Sequence, residues 1–323
     1  MTSRKVCLVT GCAGFIGGHL SLRLLKLGYT VIGIDNFSSG TRGSLEKLTA
    51  IPSFHLVESD FTSPGLFEHL DRIFGPFSAV FHLAAIISIP YSMVHTAETM
   101  LVNHQGTTAF HDECREAGVP AFVFAGSAAE YGDCTRLPLR EDYADESVSH
   151  LSPYGRSKWL ASRHIEGAGY GCVLRFFNIY GPQQPSESPY SGVISLFANL
   201  ALKGEPLTIH GSGNQARDFL YVDDAVDAYL VAAGLGGGLP LHGVYNVGTG
   251  EANYIYDVAN IVLELTGGGE VCYLPPREGD ICWSLADVSK LHDTGLFVPK
   301  VSIAVGLART LSWLAQQDRA ELK

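Results

Sequence analysis

The first half of the chain alternates short apolar runs with amphipathic stretches. Ile16, Leu20 and Leu24 fall on one face of a helix that the pattern predicts to end at Gly28. Strands that are apolar throughout and separated by helices indicate a parallel sheet covered on both faces. We therefore expect an α/β fold with a doubly wound parallel sheet. The six apolar runs predicted to be strands lie at 5–10, 30–35, 54–58, 79–83, 121–125 and 173–177.

The sequence changes character after Tyr180. A connection rich in Pro, Gly and Ser, GPQQPSESPYSG, is followed by shorter mixed elements. The segment 218–233, DFLYVDDAVDAYLVAA, predicts a strand end and a capped helix that return to the first lobe. We expect a first lobe of residues 1–180 plus about 216–247, and a smaller C-terminal α/β lobe of about 181–215 and 248–323.

Composition and charge narrow the function classes. With 46% hydrophobic and 17% charged residues among 323, the chain has the profile of a globular protein, which excludes disordered, collagen-like and coiled-coil classes. The formal charge of −11 disfavours nonspecific binding to nucleic acid, because a phosphate backbone attracts clustered Lys and Arg. A small anionic ligand would need arginines placed locally. Since no stretch approaches the ~18 apolar residues of a membrane span, we expect neither nucleic acid nor membrane as a partner.

Cysteine and histidine usage indicates a reducing compartment and no metal site. The seven cysteines form no C-x-x-C pair and are scattered through apolar stretches, which predicts buried thiols and a cytoplasmic location. The apolar run after Arg4 and Lys5 is only about five residues long, too short for a signal peptide. The 12 histidines form no H-x-x-x-H motif or Cys/His cluster, so we expect no bound metal.

A glycine-rich loop follows the first predicted strand. Gly11, Gly14 and Gly17 are spaced by three where the strand turns into a helix, as G-x-x-G-x-x-G rather than the usual G-x-G-x-x-G. Such a turn lets the backbone approach a pyrophosphate closely and directs the N–H groups of the helix N-terminus towards it. An ordinary glycine-rich turn is the alternative.

Two aspartates follow the next strands. Asp35 closes the second strand, where an acidic residue meets the ribose hydroxyls of NAD and repels the extra phosphate of NADP, so NAD is the predicted cofactor. A solvated loop position is the alternative for Asp35. Asp60 follows the third strand and either accepts a hydrogen bond from the adenine amine or caps a helix ahead of Pro64.

Tyr154 and Lys158 lie four residues apart at the start of a predicted helix, so both side chains share one face. A phenol is a poor base at neutral pH, but a cation ~4 Å away contributes about 4 kcal/mol at an effective dielectric of ~20, or roughly three pKa units. We expect Lys158 and the positive nicotinamide to share this effect, which makes Tyr154 a proton acceptor. Ser127 ends the fifth strand, where open α/β folds bind ligands, and would hold the same substrate oxygen, although such a Ser is often a turn or cap residue.

Together these segments resemble a known family. TGCAGFIG, IDN, FHLAA, GSAAEYG, PYGRSK and RFFNIYGP are similar to motifs of the extended short-chain dehydrogenase/reductases that act on nucleotide sugars, with a Rossmann domain. GEPLTIHGSGNQARDFLYVDDA, YNVGTG and PPREGDICWSLADVSK resemble the substrate lobe of UDP-hexose 4-epimerases. The resemblance covers nearly the whole chain.

The resemblance implies roles at matching positions. The catalytic set would be Ser127, Tyr154 and Lys158. Residues implied to bind the cofactor are Gly11, Gly14, Phe15, Ile16, Gly17, Asp35, Asn36, Asp60, Phe61, Leu83, Ala84, Ala85, Asn103, Tyr154 and Lys158. Residues implied to bind the UDP-sugar are Ser88, Ser127, Asn178, Leu207, Ile209, Arg217, Arg277, Asp280 and Ser284, with the two arginines on the diphosphate.

Few positions distinguish the reactions of this family. Dehydratases and UDP-glucuronate decarboxylases of the family carry an acid two residues before the Tyr of the V-Y-G segment, where this chain has Ala129. UDP-glucuronate epimerases typically resemble R-F-F-T, whereas this chain has Asn178. Two departures are Gly126, where a second Ser is usual, and Glu130, where Val is usual. We expect Glu130 to be paired at the surface, with a reshaped sugar pocket as the alternative.

Ser284 matches a gate residue that is a bulky Tyr in hexose-only epimerases, so room remains for a 2-acetamido group. We expect 4-epimerisation of UDP-GlcNAc/UDP-GalNAc, together with UDP-Glc/UDP-Gal. The alternatives are another enzyme forming a 4-keto sugar, namely a UDP-glucuronate epimerase or decarboxylase, a 4,6-dehydratase or a net 4-reductase, and a non-enzymatic NAD-binding regulator. The family also implies a homodimer through helices near 99–117 and 153–167.

Overall fold

The computed structural model describes residues 5–185, 192–276 and 281–321. In these ranges the strands are β1 (Val6–Thr10), β2 (Thr30–Asp35), β3 (Phe54–Glu58), β4 (Ala79–His82), β5 (Phe122–Ser127), β6 (Cys172–Phe176), β7 (Asn178–Tyr180), β8 (Leu207–His210), β9 (Ala216–Arg217), β10 (Phe219–Tyr221), β11 (Gly243–Val247), β12 (Asn253–Tyr254), β13 (Val271–Leu274) and β14 (Trp283–Ser284).

The helices are α1 (Phe15–Lys26), α2 (Glu46–Thr49), α3 (Leu66–Phe74), α4 (Ile89–Val94), α5 (Thr96–Met100), α6 (Thr107–Glu116), α7 (Pro153–Gly167), α8 (Val193–Leu202), α9 (Val222–Ala232), α10 (Ile255–Thr266), α11 (Ser289–His292) and α12 (Ile303–Glu321). A π-helical segment, Leu101–Gly106, joins α5 to α6. Short 3-10 turns lie at Arg42–Leu45, Ala128–Tyr131 and Glu141–Tyr143.

The central sheet has seven strands in the order β11-β6-β5-β4-β1-β2-β3, and all its neighbours pair in parallel. This confirms the predicted doubly wound parallel sheet. The six predicted strands are present, with ends that differ by one or two residues. The predicted strand end and helix at 218–233 are present as β10 and α9, although no side-chain hydrogen bond caps α9. Side chains of α9 lie in one buried cluster with those of α1, and β11 pairs with β6 at the sheet edge.

Apolar side chains cover the sheet on both faces. On one face Leu20 and Leu24 of α1 and Tyr229 of α9 belong to one buried cluster with the alternate side chains of the strands. On the other face Phe110 of α6 and Ile165 of α7 belong to a second cluster. Burial of apolar surface on both faces explains why these strands are apolar at every position.

A further apolar core lies beyond β7. Phe197 of α8, Leu207 of β8, Val262 of α10 and Leu307 of α12 are fully buried within it. The two-lobed division of the chain, with its boundaries near 180, 216 and 247, stays a prediction.

The cysteines only partly match the expectation of buried thiols. All seven are free, and Cys7, Cys12, Cys114 and Cys172 are buried. Cys272 is exposed, because it lies on the short strand β13, whose residues Cys272, Tyr273 and Leu274 are all exposed, and Cys282 is exposed as well. Among the described residues, no helix is both long and apolar enough to span a bilayer.

Candidate active site

The carboxyl ends of the parallel strands open onto a cavity of about 410 Å³. Ser127, Tyr154 and Lys158 line it together with the glycine loop. The cavity therefore joins the predicted catalytic and cofactor residues in one site. The cofactor residues that line it are Gly11, Gly14, Phe15, Ile16, Gly17, Asp35, Asn36, Asp60, Phe61, Leu83, Ala84, Ala85, Tyr154 and Lys158.

Asn103 is the one predicted cofactor residue behind the cavity wall. It is 1% exposed, its Oδ1 accepts from the Ile86 N–H at 2.8 Å, and its Nδ2 donates to the Ile86 carbonyl and to Ser157 Oγ. Asn103 therefore ties the loop after β4 to α7, and it holds Ile86, which lines the cavity, from behind.

The glycine loop leaves no space for side chains. A Cβ on Gly17 would lie 2.1 Å from the Gly11 carbonyl oxygen, and one on Gly11, whose φ is +72°, would lie 2.9 Å from the Ala84 nitrogen. Gly14 is the N-cap of α1 and has no side chain to bond the N–H groups of the first turn. These N–H groups and the positive end of the helix dipole fit the pyrophosphate of a dinucleotide.

Asp35 lies 8% exposed at the end of β2, so it is not a solvated loop residue. Its Oδ2 accepts from the Ala13 N–H at 2.8 Å and its Oδ1 from the Phe37 N–H at 2.9 Å. A carboxylate oxygen has further lone pairs for a ribose hydroxyl. The negative charge at this strand end favours NAD over NADP.

Asp60 organises the turn after β3. Its Oδ1 accepts from the Thr62 N–H and hydroxyl, and its Oδ2 accepts from Asn36 Nδ2 at 2.9 Å. Burial opposes ionisation, but the hydrogen bonds from Thr62 and Asn36 outweigh it and lower the pKa of Asp60. The alternative role as a helix cap is wrong, because α3 begins at Leu66 with Gly65 as its N-cap, whereas Asp60 bonds Thr62 in a turn and lines the cavity.

Tyr154 enters the cavity from the first turn of α7. Ser152 caps this helix, since its Oγ accepts from the Gly155 N–H at 3.1 Å, and Pro153 occupies the first helical position. Ser127, at the end of β5, lines the same cavity. Burial raises the pKa of Tyr154, interaction with the Ser127 hydroxyl lowers it, and the charge of Glu130 raises it, with a net upward shift in the cofactor-free chain.

Lys158 is directed at the backbone of β5. Its Nζ donates to the Ala125 carbonyl at 2.9 Å and lies 4.5 Å from the centre of the Phe124 ring. Burial lowers the pKa of Lys158 to about 8, against an opposing effect of Glu130. The group that lowers the pKa of Tyr154 is Ser127, whereas the sequence predicts this role for Lys158.

The sequence predicts that Glu130 is paired at the surface, and this prediction is wrong. It is fully buried, its Oε1 accepts from the Ser127 N–H at 2.9 Å, and its Oε2 accepts from Arg175 Nε at 2.6 Å. The 3-10 turn that follows β5 folds the side chain back inward, where β6 presents Arg175. The ion pair offsets the cost of burying each charge.

Most predicted substrate residues lie away from the cavity wall. Ser88 caps α4 by accepting from the Tyr91 N–H, and Asn178 Nδ2 donates to the Asp218 carbonyl. Asn178 lies between Phe177 and Ile179, which line the cavity. Arg277 and Asp280 lie outside the described residues.

Strands beyond the cavity hold the other substrate residues. The side chains of Leu207 and Ile209 are buried in the core, so only their β8 backbone is suited to contact the nucleobase of a UDP-sugar. Arg217 and Ser284 are direct partners across β9 and β14. Two positions that lie far apart in sequence are thus neighbours.

Several cavity residues escaped the sequence analysis. Ser38, Ser59, Glu98 and Gln184 line the cavity. The serines follow β2 and β3, so their position after parallel strands was an available signal. Gln184 lies in the Pro-rich connection and ties β7 to α8, with its Nε2 donating to the Ile179 carbonyl and its Oε1 accepting from Ser195. Only the fold brings it there.

The structure also gathers His111, Asp112 and His164 between α6 and α7, with ligand atoms within 4.8 Å of one another. His111 Nε2 bonds the Tyr170 carbonyl, and Asp112 Oδ1 lies 3.1 Å from His111 Nδ1 and 3.0 Å from His164 Nε2. Two helices contribute to this group, so no sequence motif marked it. It lies outside the cavity lining.

The sequence of the chain is similar to those of known enzymes along nearly its whole length. The profile of the NAD dependent epimerase/dehydratase family matches residues 7–248. The chain is 32% identical to a UDP-glucose 4-epimerase of Mycolicibacterium smegmatis, over 97% of this chain and 99% of that protein. It is 31% identical to a UDP-N-acetyl-alpha-D-glucosaminuronate decarboxylase of Bacillus cytotoxicus, over 97% of this chain and 98% of that protein.

The fold of the chain is also similar to solved structures of UDP-sugar 4-epimerases. A UDP-N-acetylglucosamine 4-epimerase of Methanobrevibacter ruminantium, in complex with UDP-N-acetylmuramic acid, superposes with a TM-score of 0.86 at 31% identity, covering 98% of this chain and 100% of that one. A Thermus thermophilus UDP-glucose 4-epimerase complex with NAD has a TM-score of 0.81 at 33% identity, covering 96% and 99%. The predicted kinship with UDP-hexose 4-epimerases is confirmed, and NAD is the cofactor. The chain belongs to the NAD dependent epimerase/dehydratase family.

Proposed function

We propose that the protein catalyses the NAD-dependent 4-epimerisation of a UDP-hexose. The observation that carries this proposal is that Ser127, Tyr154 and Lys158 line one cavity together with the glycine loop. Redox-neutral inversion at C4 needs one group that accepts and returns the hydroxyl proton. Tyr154 supplies this group, and Ser127 lines the cavity with it.

Each residue has a distinct role in the proposed mechanism. When bound, NAD supplies the acceptor, and later the donor, of the C4 hydrogen with its electron pair. Tyr154 accepts the proton of the C4 hydroxyl and returns it after the 4-keto sugar has turned over. In the complex, Ser127 donates its single hydroxyl hydrogen to the same C4 oxygen and so holds it beside Tyr154. Lys158, whose pKa is lowered to about 8, is a cation at pH values below this pKa and keeps positive charge on this side of the cavity.

The turn after β5 argues against elimination and decarboxylation. Ala128 and Ala129 place no acid beside the sugar. Both carboxylate oxygens of Glu130 are bonded, to the Ser127 N–H and to Arg175, so this carboxylate is not available as an acid or base for the sugar. A decarboxylase is the second candidate, because a relative carries that name.

We further propose UDP-GlcNAc and UDP-GalNAc as substrates, together with UDP-Glc and UDP-Gal. Arg217 and Ser284 are adjacent across two strands, which puts a cation for the diphosphate beside the small gate residue. The relative solved with a UDP-N-acetyl sugar supports an acetamido substrate. Asn178, the β8 backbone, Ser88, Arg277 and Asp280 complete the proposed UDP-sugar site.

The assembly and location are also proposals. We propose a homodimer through the helical segment at 99–117 and α7, and light scattering tests it, because a monomer would contradict it. We propose a cytoplasmic location, which the four buried free thiols support.

The function is tested by incubating the purified protein with UDP-GlcNAc, UDP-Glc and UDP-GlcA separately, without added cofactor, and following products by proton NMR. We expect UDP-GalNAc from UDP-GlcNAc and UDP-Gal from UDP-Glc. Recovery of unchanged sugars, or formation of an unsaturated or pentose product, would reject the proposal.

A further inference from the structure

We propose that Glu130, held by Arg175, is a positioning residue that fixes Ser127 and sets the electrostatic environment of Tyr154. This inference rests on the proposed function. Glu130 is fully buried and touches the catalytic set through the Ser127 backbone.

The contact between Glu130 and Ser127 is reciprocal. Glu130 Oε1 accepts from the Ser127 N–H at 2.9 Å, while Ser127 Oγ accepts from the Ala129 N–H at 3.2 Å. Together they form a capping box on the short 3-10 turn. The backbone of Ser127 is thereby fixed at the end of β5, on the cavity that Tyr154 also lines.

Arg175 fixes the other side of the carboxylate. Its Nε donates to Glu130 Oε2 at 2.6 Å, its second guanidinium nitrogen donates to the Glu141 carbonyl at 2.8 Å, and both partners are at most 2% exposed. Arg175 pairs with Gly126 across β5 and β6. The carboxylate is thus held on both oxygens, which leaves Glu130 little freedom to change its orientation.

Gly126 makes room for this arrangement. A Cβ at position 126 would lie 2.8 Å from Glu130 Oε1 and 2.8 Å from Val173 Cγ1. The two departures from the family pattern, Gly126 and Glu130, are therefore one structural unit. A second Ser at position 126 would displace the carboxylate from the Ser127 N–H.

The charge of Glu130 reaches the catalytic pair. It raises the pKa of Tyr154 and opposes the fall of the Lys158 pKa. The other groups facing Tyr154 are the Ser127 hydroxyl and the buried phenol of Tyr229 from α9. Arg175 compensates the carboxylate, so removing either partner leaves a net charge, of opposite sign in the two cases.

The test compares Glu130→Gln with Arg175→Gln, using Glu166→Gln as a matched control in an exposed ion pair with Arg163 on α7. Glu130→Gln keeps an acceptor for the Ser127 N–H but leaves a positive charge, so the acid limb of the kcat profile should move to lower pH. Arg175→Gln leaves the carboxylate uncompensated, so the limb should move to higher pH. The control should match the wild type.

The double variant Glu130→Gln with Arg175→Gln removes both charges and should return the limb towards the wild-type position. It also covers the case in which a single variant fails to fold, as judged by circular dichroism. We expect kcat to fall about tenfold in Glu130→Gln while KM stays within about twofold, because the loss is one of orientation rather than of substrate binding.

A second readout separates this inference from the proposed function. Ultraviolet difference titration of the cofactor-free protein, with Tyr154→Phe as the blank, reports the ionisation of Tyr154 without turnover. Shifts of opposite sign in the two single variants would support the inference. Unmoved limbs and titrations, or shifts of the same sign, would overturn it. Inactivity of the wild type on all three sugars would reject the function alone, since the titration still tests Glu130.

Discussion

Ser127 and Tyr154 line the same cavity, although one ends β5 and the other lies in the first turn of α7. The Ser127 hydroxyl lowers the pKa of Tyr154 against the larger effect of burial, which raises it. Ser127 is thus the neighbour that makes this phenol a better proton acceptor, while the amine of Lys158 bonds the Ala125 carbonyl.

Tyr154→Phe removes the proposed base and should lower turnover on the order of 10²- to 10⁴-fold. The phenyl ring of Phe still fills the half-buried site, so NAD content and thermal stability should stay close to wild type. Turnover is measured by NMR on UDP-GlcNAc and UDP-Glc. Full activity in this variant would remove Tyr154 from the mechanism.

Ser127→Ala should lower kcat on the order of 10²-fold and move its acid limb to higher pH. The direction follows because the Ser127 hydroxyl lowers the pKa of Tyr154, and the active form is the ionised one. Ser127→Thr keeps the hydroxyl and serves as the control. An unchanged limb in Ser127→Ala would contradict the assigned role.

Gly17→Ala should abolish co-purification of NAD. The new Cβ would lie 2.1 Å from the Gly11 carbonyl oxygen, so the loop must shift away from the pyrophosphate position. Gly167→Ala, where a Cβ meets nothing within 4 Å, is the matched control and should retain NAD. Cofactor is measured by absorbance after denaturation, and equal NAD in both variants would refute the assignment.

Ser284→Tyr should narrow the substrate range. A phenol at the proposed gate would fill the space of the 2-acetamido group, so kcat/KM for UDP-GlcNAc should fall at least about tenfold relative to UDP-Glc. Ser147→Tyr, at an exposed position, controls for the substitution itself. If the ratio of kcat/KM for UDP-GlcNAc to that for UDP-Glc stays at the wild-type value in Ser284→Tyr as well as in Ser147→Tyr, Ser284 is not the gate.

The sequence predicts the parts of the fold that depend on local pattern. Apolar runs identified six strands of the central sheet, and three glycines identified a loop that packs too closely for a Cβ. Both signals are local, since a strand covered on two faces must be apolar throughout.

Relationships between distant segments were not predictable in the same way. Arg175 partners Gly126 across two strands, so the burial of Glu130 follows from strand register rather than from its neighbours in sequence. The adjacency of Arg217 and Ser284 has the same origin. The family resemblance implies that Asn103 binds the cofactor, but its side-chain amide forms hydrogen bonds with Ile86 and Ser157.

The most direct test of 4-epimerisation uses UDP-GlcNAc carrying deuterium at C4, incubated in ordinary water with the purified protein and no added cofactor. The account predicts UDP-GalNAc that retains deuterium at C4, because the hydrogen is removed and returned within the site. UDP-GalNAc with protium at C4, or no UDP-GalNAc, would contradict it.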